Sequence, residues 1–407
     1  MASFWSKLRG LILENISAPT HAVSGETTLY ADINSNSPVS VVDQRGAVTH
    51  LGDIHNPNAV RNSGFWFAQR QAPATLTTYS SVGGRVITAD GWGISCENAS
   101  MQYVRADTGI SPETNLVNRY YGNFTKITTT GKMVVCQVIE AVDAEAFRGK
   151  TVRLQMKLKG IGNATWRMGL AQSTLGTIDT VPNGAGLFIT AFGANTVDPT
   201  LGTNISRLTP ATGVTYGTGT VVGSGINCTL TGNWSQFSAV YTLPTTFRNL
   251  IVMVWSDSQV AAAAGVAIAE VSLTEGADIQ AWAPLSIQTE LARVQRYYCK
   301  SFDTDTAPAQ AAGLAGAQRG HVSVAGATAG QPIGIRFPVV MRAAPTLAFF
   351  NPSAANTFVR NTTAGTDATA TTNANTAGSG TDVTFTGIAA WTVAQGVAVH
   401  YTADAEL

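Results

Sequence analysis

Residues 152–159 alternate apolar and polar side chains without a break, so Val152, Leu154, Met156 and Leu158 share one face of an extended strand while Arg153, Gln155, Lys157 and Lys159 share the other. Apolar runs at 238–243, 250–255 and 266–273 have strand length too, and Gly, Asn, Thr and Pro separate such runs from about residue 60 to 285. Short strands spaced by turn residues are the pattern of a β-sandwich. At 286–300 the period changes. Ser286 is placed as an N-cap, and Ile287, Leu291, Val294 and Tyr298 fall on one side of a helix. Strand-like runs return over 303–407, and the Thr/Ala/Asn/Gly-rich stretch 361–381 is expected to be an exposed loop or hairpin tip.

Ahead of the sandwich, Phe4, Trp5, Leu8, Leu11 and Ile12 recur at helical spacing until residues 17–19 break the pattern. A short helix is marginal in water without a surface to pack on. It therefore either caps the neighbouring β unit or docks on another subunit, which makes these five residues the candidate attachment set. Strands are expected at 28–32, 39–42 and 47–51, with a turn at 43–46 and a linker at 56–58. The expected architecture is all-β: an attachment segment of helix and hairpin over 1–57, a sandwich over 58–285, a connecting helix over 286–302 and a smaller β domain over 303–407.

Composition sharpens the class. Only 12% of the 407 residues are charged, and 25 basic side chains balance 25 acidic ones, so no long-range field draws the chain to nucleic acid or anionic lipid. So few charges give little mutual repulsion, which favours permanent assembly into a symmetric homo-oligomer. Cys96, Cys136, Cys228 and Cys299 are scattered without zinc-site spacing, and free, mostly buried thiols are expected. No run approaches the ~20 apolar residues of a membrane span. Glu14 and Asn15 interrupt Leu11, Ile12 and Leu13 too soon for a signal peptide, so synthesis in the cytoplasm is expected and the Asn-x-Ser/Thr triplets are chance.

A glycan hydrolase would have to draw its acids from Asp90, Glu97, Asp107, Glu113 and Glu140, but nothing in their spacing pairs them. Such residues at strand ends are ordinarily solvated, and no catalytic residue is assigned. His21, His50, His55, His321 and His400 lack metal-ligand spacing, and no metal or cofactor is expected. Binding needs less: aromatic faces and planar polar groups suffice for sugar. Of Trp66, Trp92, Tyr103, Trp166 and Trp234, the two in turn-rich sequence, Trp92 and Tyr103, are the candidate contact residues. Tyr297 and Tyr298 are expected to pack an interface between domains.

The string ELARVQRYYCK at 290–300 resembles the ELARCQRYY-type helix of tailed-phage tail-fibre and related virion proteins. RNSGFWFAQR at 61–70 and TADGW at 88–92 resemble the opening of that family, with Gly91 where an arginine is usual. FRGKTV at 147–152, GNWSQF at 232–237, EVSLTEG at 270–276 and FPVVMRAAPT at 337–346 follow in the family's order. The likeness covers roughly residues 60–350. It implies a jelly-roll sandwich similar to carbohydrate-binding modules, followed by a small C-terminal β domain. It also implies a non-enzymatic virion subunit, expected to be a homotrimer, attached to other virion proteins by its N-terminus and exposing β domains to host-surface glycan. A capsid-decorating stabiliser and a glycan-degrading tailspike-like enzyme are the alternatives.

Overall fold

The computed structural model describes most of residues 58–406, apart from short loop stretches concentrated within 175–223, together with the backbone of four short strands before residue 58. The chain is nearly all β. The helix expected from Phe4, Trp5, Leu8, Leu11 and Ile12 lies outside the described residues. Strands Thr28–Asp32, Ser40–Val42 and Val48–His50 form an antiparallel meander where the hairpin unit was expected, and Asn15–Ile16 adds to it in parallel.

Two sheets face each other across the main core. One runs, in spatial order, through Thr220–Val222, Gly225–Cys228, Trp166–Ser173, Asn249–Ser256, Met133–Ile139, Trp92–Cys96 and Val86–Ala89, with Ile205–Arg207 paired beside it. The other runs through Thr215–Tyr216, Ser235–Thr242, Thr151–Ile161, Gly265–Glu275, Tyr120–Lys126, Ser100–Asp107 and Thr77–Ser80. Val152, Leu154, Met156 and Leu158 point into that core, as their alternation predicts. The strand Asn249–Ser256 is buried at every position. Leu250, Val252 and Val254 fill the inter-sheet core, while Ile251, Met253 and Trp255 point the other way into a second cluster roofed by Phe188, Ile189, Phe192 and Ile205. An unbroken apolar run fits a strand covered on both faces.

Glycines make room for the largest of these side chains. A Cβ on Gly169 or Gly225 would come within 2.9 Å and 2.6 Å of the Trp255 ring, so the indole lies directly on bare backbone. Its Nε1 donates to Asp198 at 3.3 Å, and Asp198 in turn pairs with Arg167 at 2.8 Å, which pins the roofing excursion to the face of the sheet.

The C-terminal region is organised on one long strand, Gly396–Asp404, which pairs along its length with Tyr298–Lys300, Gln318–His321, Thr346–Phe350 and Arg360–Asn361. A three-stranded sheet of Gln331–Arg336, Gly380–Thr386 and Ala370–Ala377 packs with it around a separate core that includes Ile333, Phe385, Trp391, Val399 and Tyr401. The stretch expected as a hairpin tip is thus half strand: Ala370–Ala377 and Gly380–Thr386 flank the turn. The helix Ile287–Gln295 starts on Ser286, whose hydroxyl accepts from Thr289 N–H at 3.2 Å. It ends earlier than the period predicts, because residues 298–300 are taken into the sheet opposite Thr402–Asp404. Ile287, expected on the buried side, is 58% exposed; Val294 and Tyr298 are buried as expected, and the helix buries Glu290 as well.

Candidate functional site

Residues 58–70, before the first strand of the sandwich, run between the sandwich and the C-terminal sheet, and they bond to both. Arg61 N–H donates to Gln137 Oε1 at 2.7 Å, and Gln137 returns a bond to Arg61 O at 2.8 Å. Asn62 N–H donates to Glu290, and Arg293 donates to Asn58 O at 3.0 Å. The Arg61 guanidinium lies 3.6 Å over the Tyr297 ring, and that of Arg70 lies 4.0 Å over Tyr298. Glu140 takes a bidentate bond from Arg296 at 2.8 and 3.1 Å, and the Tyr297 hydroxyl at 2.6 Å. Burial alone would raise the Glu140 pKa, but these donors outweigh it and hold the carboxyl below its ordinary value.

The last residues of the chain complete this seam. Glu406 accepts from Gly91 N–H at 3.1 Å and lies 3.7 Å from Arg61 and 3.6 Å from Arg70. Gly91 has φ +83°, and a Cβ there would come within 3.3 Å of the Arg61 guanidinium, so Arg61 fills the space beside the position where the resembling family carries arginine. Arg342 donates to Ala405 O at 2.9 Å. The strings 61–70, 88–92, 290–300 and 337–346, far apart in the sequence, therefore meet at one place.

A groove of about 400 Å³ opens along this seam. Its floor is the non-core face of the C-terminal sheet. Register sets Tyr298, Asp404 and Thr346 in one cross-strand row and Lys300, Thr402 and Ala348 in the next, while Leu347, Phe349, Tyr401 and Ala403 face the core. Tyr298, Thr346, Ala348, Phe350, Thr402 and Asp404 line the groove, with Arg70 and Pro308 forming a wall. Arg70 bonds Asp404 at 2.5 Å; burial opposes its charge, but Asp404 and Glu406 more than compensate and raise its pKa. Lys300 lies beneath, donating to Gln69 O, Thr304 O and Thr306 O at 2.8, 3.0 and 2.6 Å; burial lowers its pKa to about 8. The groove thus offers the Arg70–Asp404 ion pair, the Thr346 hydroxyl and the half-buried Phe350 ring, with Tyr298 and Thr402 largely buried beneath, which is a set suited to a polyhydroxylated ligand.

Trp92 and Tyr103 are not in it. Both are 0% exposed in the sandwich core. Trp92 opens a strand, stacks on Phe65 at 5.2 Å and donates to Asn62 O, and Tyr103 packs on Phe124 at 5.0 Å. Turn-rich neighbours suggested exposure, but Tyr103 occupies an inward position of Ser100–Asp107, a strand whose burial alternates. Neither ring can meet a ligand in this fold. Trp166 and Trp234 are buried as well, and Trp66 is spent on Asn118 at 2.8 Å.

The five candidate acids are dispersed. Asp90 is buried in the Val86–Cys96 hairpin turn, accepting from Gln69 N–H; Glu97, beyond the other end of that hairpin strand, accepts from Lys132 N–H. Asp107 is held by Arg119 at 2.7 Å twice over, Glu113 by Lys159, Trp234 and Tyr121, and Glu140 by Arg296 and Tyr297. Among the described residues no hydrogen bond joins any two of them, and no group of His, Cys, Asp or Glu is arranged to hold a metal ion. His400 is buried, stacked on Phe302 at 4.1 Å and bonded to Ser301 and Gly313 O. The four cysteines are buried thiols. No described helix is long and apolar enough to cross a membrane.

The groove residues Arg70, Tyr298, Thr346, Thr402 and Asp404 were missed by sequence reasoning. Arg70 and Tyr298 at least lie in strings that drew notice; the only trace of Thr402 and Asp404 is the alternation of 397–404.

No protein-family model matches this chain, and no curated protein does. Among solved structures it is similar over 54% of its length to the enzymatically active domain of bacteriophage CBA120 tailspike protein 4, at 11% identity and a TM-score of 0.31; the match spans 21% of that tailspike chain. It is similar over 54% of its length to TmCBM61 in complex with beta-1,4-galactotriose, covering 99% of that chain at 13% identity and a TM-score of 0.28. The family 11 xylanase from Neocallimastix patriciarum is similar over 49% of this chain and 100% of its own, at 11% identity and a TM-score of 0.23.

Proposed function

We propose that this chain is a structural subunit of a bacteriophage particle, a fibre or appendage protein attached through residues 1–57 and presenting its β units outward to bind host-surface glycan in the seam groove. In this reading it is made in the host cytoplasm, assembles as a homotrimer and resides in the virion. The observation that carries the reading is convergence. Four strings that resemble phage fibre proteins, drawn from across 61–346, build one seam, and that seam carries the groove. Strings alike by chance have no reason to meet. The groove's chemistry favours binding over bond cleavage, since glycoside hydrolysis needs two carboxyl groups roughly 5–9.5 Å apart around one bond, whereas the groove lining carries one carboxylate, Asp404, and no hydrogen bond among the described residues joins any two of the five candidate acids.

The test is immunogold labelling of purified particles together with host-cell binding by the purified chain. Label at an appendage, in a few copies per particle and lost when residues 1–57 are removed, is the expected result. Absence from particles would overturn the virion role, and many tens of copies over the shell would favour capsid decoration. Ala348, exposed on the groove floor, allows a plug that leaves the core alone. Ala348→Trp should weaken cell binding at least tenfold with unchanged thermal unfolding. Release of soluble saccharide from host glycan would sink the binding-only reading in favour of an enzyme.

A further inference from the structure

Arg85 stands just before the edge strand Val86–Ala89, where a long basic side chain ordinarily reaches back to water. Here it is drawn inward. Its stem lies on Gly93, where a Cβ would come within 2.7 Å of Arg85 Cγ and 3.1 Å of Cδ, and Gly93 sits opposite Cys136 on the next strand. The roof of the second cluster is tied down beside it, Ile189 N–H donating to Gly83 O at 2.9 Å. The guanidinium therefore lies between the sheet face and that roof, 6.0 Å from the centre of the Phe188 ring, and the residue is 6% exposed. Arg85 Nε and Nη2 have no hydrogen-bond partner among the described residues, and Arg85 forms no ion pair there.

The flanking sequence supplies no carboxylate to match this charge. Residues 76–89 contain no acidic residue, and residues 174–197 contain only Asp179, whose Oδ1 is taken by Ala141 N–H at 2.8 Å and by Asn249 at 2.6 Å. Cys136 is a neutral thiol, because burial pushes its pKa up to about 12. Glu406 acts on Arg85 electrostatically, but it is already shared among Gly91 N–H, Arg61 and Arg70, and Arg61 adds a repelling charge. A guanidinium in a protein does not shed its proton, and a buried charge without a partner is strongly unfavourable. Buried water can satisfy the two N–H groups, but it brings no charge. An anion does both.

We propose that Arg85, enclosed by Gly93, Cys136 and Phe188, forms a buried halide site that binds chloride, with Arg85 Nε and Nη2 as donors and the Arg61 charge adding to the positive field. A residue this enclosed leaves no mouth for a sugar or for a partner's side chain, which selects a monatomic anion. The site is separate from the seam groove and independent of glycan binding. Its role is to hold the roof, through Arg85, against the edge of the sheet beneath it.

Anomalous diffraction from crystals of the full chain grown in bromide tests this. A bromide peak at hydrogen-bond distance from Arg85 Nε and Nη2 is expected; water there, or nothing, would overturn the site. This result needs no variant, so it stands even where a substitution prevents folding. Thermal unfolding then shows whether the ion binds in solution. When chloride replaces gluconate at constant ionic strength, the midpoint of the wild-type chain should rise by roughly 2 °C, the size expected of a ligand held at several times its dissociation constant. Arg85→Met keeps an unbranched stem over Gly93 and removes the charge, so its midpoint should not respond to the exchange. A bromide peak without the chloride-specific rise would mean an adventitious ion only, and an equal rise in both proteins would place chloride elsewhere; either overturns the proposal.

Discussion

The sandwich interior and the seam beside it hold the chain together by opposite means. Between the sheets, contacts are apolar and anonymous: Leu154, Val252, Phe237 and their neighbours are interchangeable in kind, and their strength comes from area removed from water, about 25 cal/mol per Å². At the seam, Arg61 lies on Tyr297, Arg70 on Tyr298 and Arg296 grips Glu140, so each contact is particular to its partner. An apolar core tolerates exchange of volume-matched side chains, whereas a buried charge that loses its partner is left without compensation. The sandwich thus supplies stability and the seam supplies a fixed arrangement, which is what a groove built from both sides requires.

The largest expected effect comes from the apolar side. Trp255→Ala removes a ring seated on Gly169 and Gly225 and opens a cavity beneath Phe188 and Ile189; it should destabilise by about 3–5 kcal/mol in chemical denaturation. A loss below about 1 kcal/mol would mean that the roof collapses into the space, and that this second cluster packs loosely. The seam should respond less strongly and more locally. Glu140→Gln keeps an acceptor for the Tyr297 hydroxyl but removes the charge that Arg296 grips, and should lose about 2 kcal/mol. Hydrogen exchange should show that loss concentrated in residues 58–70 and 287–300. A uniform rise in exchange across the sandwich would erase the contrast drawn between the two regions.

The same contrast explains what was legible in the sequence. Alternation exposed the inward face of residues 152–159, because core side chains on one face of a strand recur every second residue; the apolar run at 250–255 read only as a strand, and its burial on both faces is set by the completed fold. Seam contacts obey no period. Arg70 and Asp404 are 334 residues apart, and only the completed fold makes them neighbours. Trp92 and Tyr103 were misplaced for a related reason: nearby Gly and Asn residues mark where a chain turns, but burial is set by which face of the strand a side chain takes. The ELARVQRYYCK string pointed to the right place without revealing its role, since Tyr298 belongs to a strand opposite Asp404 and not to the helix that precedes it.

Asp90 gives the most discriminating test, because it sits in the seam yet is buried like a core residue. It is 1% exposed, one carboxyl oxygen accepts from Gln69 N–H, and the other has no hydrogen-bond partner among the described residues. Burial raises its pKa from 3.8 to about 6, against the opposing pull of Arg70 and the Gln69 N–H; Glu406 pushes it up further and Lys300 stands close enough to interact with it. A folded-state value above the unfolded one means that folding favours the protonated acid. Its stabilising contribution is complete below pH 3.8 and is lost as pH rises through about 6. A shift of this size amounts to about 2–3 kcal/mol. Asp90→Asn cannot ionise, so relative to wild type it should gain about that much stability on going from pH 4 to pH 7, measured by chemical denaturation at both. An equal difference at the two pH values would mean that Asp90 stays charged throughout, held by Arg70 and Lys300, and that the seam is an ion-pair network even at its most buried carboxylate.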